Sequence, residues 1–265
     1  NYEIVVVDSS SNDGTSELLK KFHPNCHFQY FIQENNGKAG ARNRGVTAAR
    51  SEIIIITDAD MIADERMIEA HYNAHIQRNE PACFEGITYN LKCLEWPTTT
   101  DNTYPYIKGN YRQTARLGWW YFLTGNISFP KNIFEQESGF DESFLNYGWE
   151  DLELGYRLSK KKIGLFYLKD AINYHYHVVT KQEEIERNIN KGSSASIFLR
   201  KHPELKWFLG LNPLSVFIYK IVRKKQNLLK WINNYCFNSS NNLLHKFGFW
   251  FLKEYNYLEG LLEIV

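Results

Sequence analysis

Asp58-Ala59-Asp60 puts two carboxylates one residue apart, directly after the apolar run EIIIIT from Glu52 to Thr57. Residues i and i+2 of an extended chain project to the same side, so both groups could address one hard cation. Mg²⁺ or Mn²⁺ suits such a sparse oxygen site, completed by phosphate oxygens. The plainer reading is that Asp60 begins a turn. Tyr174-His175-Tyr176-His177 repeats the alternation, and neutral imidazole nitrogens of His175 and His177 could both approach a metal. A lone histidine on a strand is otherwise usually structural. Asp8 closes another apolar run, EIVVV, where it could accept hydrogen bonds from a nucleobase or a ribose. For Asp13-Gly14, just beyond it, an Asx-turn is the better reading.

GKAGARNRG, from Gly37 to Gly45, opens a helix with Lys38 and Arg42. Helix N-terminal amides flanked by cations suit a diphosphate. A solvated basic helix end explains the segment equally well, and Gly37-Lys38 lacks the following Ser or Thr of a Walker loop. Glu150-Asp151 is a second acidic pair, read from residue types alone as the start of a helix. Carboxylates stabilise a first turn through the helix dipole, which would also keep Asp151 ionised. Trp149, Leu152 and Tyr156 have the spacing of a helical core face.

These groups depend on the elements between them. Strands are expected at Glu3–Val7, 28–32 and 52–57, and helices at 15–22, 38–50 and 64–78, with Thr15 as the first N-cap. Strands alternating with helices imply a parallel sheet covered on both faces. Ligands bind such sheets beyond the carboxyl ends of the strands, where Asp8, Asp58 and Asp60 fall. Residues 95–117, with Pro97, three threonines and Pro105, read as a long loop. A helix is expected from Glu150 to Lys160, and 182–265 reads as mostly helical.

Composition narrows the classes. The 265 residues are 43% hydrophobic and 23% charged with a net charge of +1, which excludes a disordered chain and any general attraction to nucleic acid. Cys26, Cys83, Cys93 and Cys236 form no CxxC pair and read as free thiols in a reducing compartment. The stretch from Trp207 to Val222 carries Asn, Pro, Ser and Lys and does not read as a membrane span. Farther on, Lys220, Arg223, Lys224 and Lys225 interleave with Trp and Phe. Helical packing explains them; a peripheral membrane contact is the sharper reading. Asn126-Ile127-Ser128 and Asn238-Ser239-Ser240 match a glycosylation sequon and are discounted as chance.

DSSSNDGT, GKAGARNRG and IIIITDAD, in that order and spacing, resemble the nucleotide-binding half of a family 2 glycosyltransferase of GT-A fold. The resemblance implies that Asp8 contacts the base, that Lys38 and Arg42 lie near the diphosphate, and that Asp58-x-Asp60 holds ribose and metal. Of that pair, Asp60 is the expected direct ligand and Asp58 the ribose contact. Many members carry a second acid where this chain has Ser9. The stretch from Thr124 to Leu158, centred on Gly148-Trp149-Glu150-Asp151, resembles the galactosyltransferase C-terminal region of chondroitin-polymerase-like and β-1,4-galactosyltransferase enzymes. By that resemblance Asp151 is the base, Glu150 binds or orients the acceptor, and Trp149 packs on a sugar face. The histidines after this motif resemble the position that completes the metal site, with His177 preferred to His175.

The implied protein is an inverting, Mn²⁺- or Mg²⁺-dependent transferase. It would take a UDP-sugar donor and a glycan or lipid-linked glycan acceptor, and it is expected in the cytoplasm or at the inner membrane face. Residues 1–94 would form the donor half, 95–181 the acceptor half and 182–265 a helical extension. A retaining GalNAc-transferase-like enzyme, a non-catalytic glycan- or nucleotide-binding protein and a sugar nucleotidyltransferase are the alternatives. Family members usually begin with one further strand and a Pro-x-Tyr-Asn-like turn, so the sequence is expected to lack the first strand.

Overall fold

The computed structural model describes residues 1–91, 103–105, 111–177 and 179–263, with backbone only at 103–105. Two compact units emerge, one of residues 1–142 and 150–178, the other of 143–149 and 179–265.

The first unit is α/β. Its strands are β1 Glu3–Asp8, β2 His27–Ile32, β3 Ile53–Ile56, β4 Met61–Ala63, β5 Ala82–Leu91, β6 Thr103–Pro105, β7 Arg116–Leu117, β8 Ile127–Pro130 and β9 Gly164–His175. Its helices are α1 Thr15–Lys21, α2 Gly37–Ala48, α3 Met67–Ile76, α4 Lys131–Gln136 and α5 Glu150–Lys160. Two expectations change in detail. Gly14, at φ 90°, is the N-cap of α1 instead of Thr15, because the Asp13 carboxylate accepts from the Thr15 N–H at 3.1 Å and fixes an Asx-turn. Among the described residues only the β1–β2 and β5–β9 pairings are parallel. The others are antiparallel, in a sheet ordered β3-β8-β5-β9-β4. Helix–strand alternation holds only as far as α3; β8 then pairs antiparallel with β5, and β9 returns parallel to β5 after α4 and α5. Asp8 and Asp58 therefore end strands of separate sheets. Of the expected loop at 95–117, residues 95–102 and 106–110 lie outside the described residues; Thr103–Pro105 pairs with β5 and Arg116–Leu117 with β9.

Strand alternation divides the core between the faces of the larger sheet. Ile54, Ile56, Cys83, Ile127 and Phe129 pack with Phe122, Phe140 and Leu154 on one face, while Phe84 and Leu168 pack with Met67 on the other. Between α3 and the sheet runs a buried polar chain. The Asn126 amide donates to the Ile87 and Ala171 carbonyls, which leaves its oxygen to accept from His71 Nε2 at 2.9 Å. His71 Nδ1 then accepts from the Ser128 hydroxyl at 2.8 Å, and His75 Nε2 donates to that hydroxyl at 2.9 Å. Burial pushes both imidazoles down to about 4 and keeps them neutral. Asn126, in the first sequon, is fully buried.

The second unit is helical: α6 Lys181–Lys201, α7 Pro213–Arg223, α8 Gln226–Trp231 and α9 Asn242–Leu262, with a π-helical turn at Ile232–Phe237. Thr180 and Glu183 form a reciprocal capping box at the start of α6. Helices α6 and α9 touch backbone to backbone at Gly192 and Gly260, where any Cβ would strike the carbonyl of Tyr257 or Ile189. Among the described residues no helix is long and apolar enough to cross a membrane.

Candidate active site

The site is built on the ends of β1, β3 and β9 and the starts of α2 and α5. Asp8, at the end of β1, is buried and accepts from Ser11 and from the Ser16 hydroxyl. The Ser11 hydroxyl, ahead of burial, holds its carboxyl below the usual range. Asp8 thus shapes the turn that follows it, with Ser11 on one oxygen and Ser16 on the other.

Asp58-Ala59-Asp60 turns instead of continuing β3, so its two carboxylates part company. That separation corrects the expectation that both would address one cation. Asp58 Oδ1 accepts from Arg42 Nη2 at 3.0 Å. Asp60 faces the other way, 3.3 Å from His175 Nε2 and 3.4 Å from His177 Nδ1. The short strand β4 causes this meeting, because its antiparallel register sets Met61 opposite His175. His175 Nδ1 lies 3.0 Å from Asn90 Oδ1, which orients the ring and leaves Nε2 toward Asp60. One atom each from Asp60, His175 and His177 falls within a 4.8 Å cluster. A carboxylate oxygen and two imidazole nitrogens make a donor set fit for a borderline transition ion, better matched to Mn²⁺ than to Mg²⁺.

Arg42 projects from α2 into a nest of acids. Its Nη1 donates to Glu150 Oε1 at 2.7 Å while Nη2 holds Asp58, so one guanidinium ties the third strand to the start of α5. Burial alone would weaken its charge; Asp58, Glu150 and Asp151 more than restore it. Glu150 is buried, and its Oε2 meets no hydrogen-bond partner among the described residues. An acceptor hydroxyl would satisfy that oxygen. Asp151 stands beside it, accepting from the Leu152 N–H at 2.8 Å. The helix start does not keep this acid in its ordinary range. Burial first and the Glu150 carboxylate second push it up to about 7, against the pull of Arg42.

Trp149 departs from its expected place on a sugar face. It holds a φ of 76° directly after Gly148 at 92°, and its indole N–H donates to the Lys191 carbonyl at 3.0 Å. Its ring packs on Phe198, Phe208 and Tyr257 of the helical unit. The core reading of this residue therefore describes the structure better, because neighbours distant in sequence satisfy both its polar and apolar parts. Lys38 lies in the first turn of α2.

Three site residues were not singled out from sequence. Glu85 sits in the middle of β5, 2% exposed, and accepts from the Leu123 N–H at 3.2 Å. Burial, ahead of any neighbour, holds its carboxyl well above the usual range, and Asp151 adds to the effect. An acid inside the run ACFEGI was the available signal. Asn43 grips the backbone of Phe140 in both directions, at 2.8 and 2.9 Å, and fixes α2 against the turn before residue 143. Asn90 is the third. A shallow concavity of about 430 Å³ is lined by Gly40, Asn43, Arg44 and Thr47, on the side of α2 turned away from Arg42.

The chain is similar to known proteins. The family described as Glycosyl transferase family 2 matches residues 1–137, just over half the chain, and the N-terminal domain of galactosyltransferase matches 107–181. The chondroitin synthase of Pasteurella multocida is 25% identical over 76% of this chain and 24% of its own length. The validoxylamine A glucosyltransferase of Streptomyces hygroscopicus subsp. jinggangensis is 25% identical over 77% of this chain and 54% of its own. The chain thus spans between a quarter and about half of these relatives. Two solved structures share the fold. Staphylococcus aureus TarS 1–349 in complex with UDP has a TM-score of 0.54 and 14% identity, over 97% of this chain and 80% of TarS. GalNAc-T7 with UDP, GalNAc and Mn²⁺ has a TM-score of 0.52 and 17% identity, over 73% of this chain and 41% of its own.

Proposed function

Because the chain belongs to glycosyl transferase family 2, we propose that it moves a hexose or N-acetylhexosamine from a UDP-sugar to a glycan hydroxyl, with inversion and with a divalent cation. The carrying observation is Arg42, which joins Asp58 to Glu150 across the site and brings the donor and acceptor residues into one ion-paired run. Residues 1–94 form the donor half and 95–181 the acceptor half, with the helices from 182 as an extension. Asp8 and Asp58 receive the base and ribose, and Lys38 lies toward the diphosphate. UDP in the TarS structure, and UDP with Mn²⁺ in that of GalNAc-T7, support a UDP donor and a cation at Asp60, His175 and His177. Bound there, the cation would offset the charge of the departing diphosphate.

Asp151 is the general base. Ionised, it takes the proton of the acceptor hydroxyl as that oxygen bonds to the anomeric carbon; the carbon–oxygen bond to UDP breaks on the opposite side, and Asp151 finishes protonated. An acid raised to about 7 is well matched to that work near neutral pH. Glu150 orients the hydroxyl by accepting at its unpaired Oε2, and Arg42 holds Glu150 in place. The test is NMR of the product made from an α-linked UDP-sugar. A β-linked product is expected. An α-linked one would transfer the assignment to a retaining, GalNAc-transferase-like mechanism.

A further inference from the structure

From Leu205 to Lys253 the sequence holds eight lysines and arginines and no aspartate or glutamate. The whole chain has 31 basic and 30 acidic residues, so 23 basic face 30 acidic elsewhere. A near-neutral protein has therefore gathered its positive charge into one stretch of the helical unit.

The same stretch turns apolar side chains outward. Helix α7 starts cleanly, with the Asn212 side chain accepting from the Ser215 N–H and Pro213 in the first turn. Tyr219 and Val222 face the interior. Leu214, Phe217, Ile218 and Ile221 recur at i, i+3, i+4 and i+7 and are all exposed, Leu214 to 67% and Phe217 to 62%. The outer face of a helix on a globular protein normally carries polar residues there. Helical periodicity puts Lys220 and Lys224, both exposed, along the flank of this stripe. Trp231 and Tyr235 stack on each other with both rings exposed. On α9, Leu243, Phe247 and Trp250 form a second exposed run beside exposed Lys246.

Charge and apolarity together select the occupant. A second copy of this chain would set the exposed lysines beside the α7 stripe, Lys220 and Lys224, against their own like across a self-complementary interface. A soluble polyanion would engage the lysines and leave the Leu, Phe and Ile side chains in water. An anionic bilayer accepts both, with the apolar stripe in the acyl boundary, the aromatic rings at headgroup level and the cations on the phosphates. We propose that the helical unit lays the outer stripe of α7, with the basic segment around it, on an anionic lipid surface. The helix lies on the bilayer and does not span it.

The test uses the full chain with vesicles of phosphatidylcholine alone and of phosphatidylcholine mixed with phosphatidylglycerol. Binding is expected only on the mixed vesicles and should weaken as salt rises. Two surface variants separate the contributions, Phe217→Ser with Ile221→Ser, and Lys220→Glu with Lys224→Glu. Each should cut vesicle partition by about tenfold or more while circular dichroism stays unchanged. Four results would overturn the proposal. One is no binding to the mixed vesicles, and another is binding that both variants retain. The third is a dimer seen by light scattering that the Phe217/Ile221 variant dissolves, with no vesicle binding by the parent. The fourth, capture by a soluble polyanion, lost only in the lysine variant and unmatched on vesicles, would assign the surface to polyanions instead.

Discussion

The two units dispose of polar and apolar groups in opposite ways. In the α/β unit, Glu85 and Glu150 are buried, Asp58 and Asp151 stand near them, and the Arg42 guanidinium holds Asp58 and Glu150. In the helical unit the interior is apolar, around Ile185, Ile232, Phe237 and Leu252, while large apolar side chains also face outward. Buried charge is costly and persists where chemistry uses it. Exposed apolar surface is costly in water and marks a place where something else binds. The contrast separates a region organised to react from one organised to dock.

The largest effect that can break this contrast lies at Arg42. Arg42→Met should cost about 3–5 kcal/mol in denaturant unfolding, since it strips Glu150 and Asp58 of their cation. Adding Glu150→Gln should recover part of that loss, and a purely additive pair would mean that Arg42 does not act through Glu150.

Next comes the buried histidine chain, which belongs to the same polar interior. His71 falls from an ordinary 6.5 to about 4 in the fold. The unfolded chain thus binds more protons between those values, and stability drops as pH falls through that window. One pKa unit is worth about 1.4 kcal/mol, so His71 should contribute a loss of about 3 kcal/mol by pH 4. Buried acids raised above their ordinary values, Glu85 and Asp151, act with the opposite sign, favouring the fold as pH falls. Thermal unfolding against pH should therefore be steeper in Glu85→Gln than in the parent on the acid side. An unchanged slope would mean that Glu85 is not protonated in the fold.

A smaller effect sharpens the metal assignment. Asn90 touches His175 at Nδ1, on the side of the ring away from the clustered Nε2. Asn90→Ala should weaken Mn²⁺ binding by about 10–100-fold in titration calorimetry, with unfolding nearly unchanged. Equal affinity would remove Asn90 from the orientation of His175.

Sequence carried the α/β class, the helix from Glu150 to Lys160 and the acids at the strand ends, because each has a local cause: a β-branched run, paired acids in a first turn, a polar residue closing an apolar strand. What it missed was non-local. The three residues of β4 carry no periodic signal, yet their pairing with β9 sets His175 beside Asp60. Trp149 belongs to a motif that suggested a sugar platform, and its surroundings come from α6, α9 and the turn at Phe208. The upward shift of Asp151 likewise depends on burial and on Glu150, and the helix dipole alone pointed the other way.

The central claim is that Asp151 carries the proton transfer in a site that binds the donor without it. Transfer rate and UDP affinity of Asp151→Asn, measured side by side with the parent in Mn²⁺, test it most directly. The expected result is a loss of transfer of about 10²–10⁴-fold with UDP affinity retained. Transfer at the parent rate would contradict it.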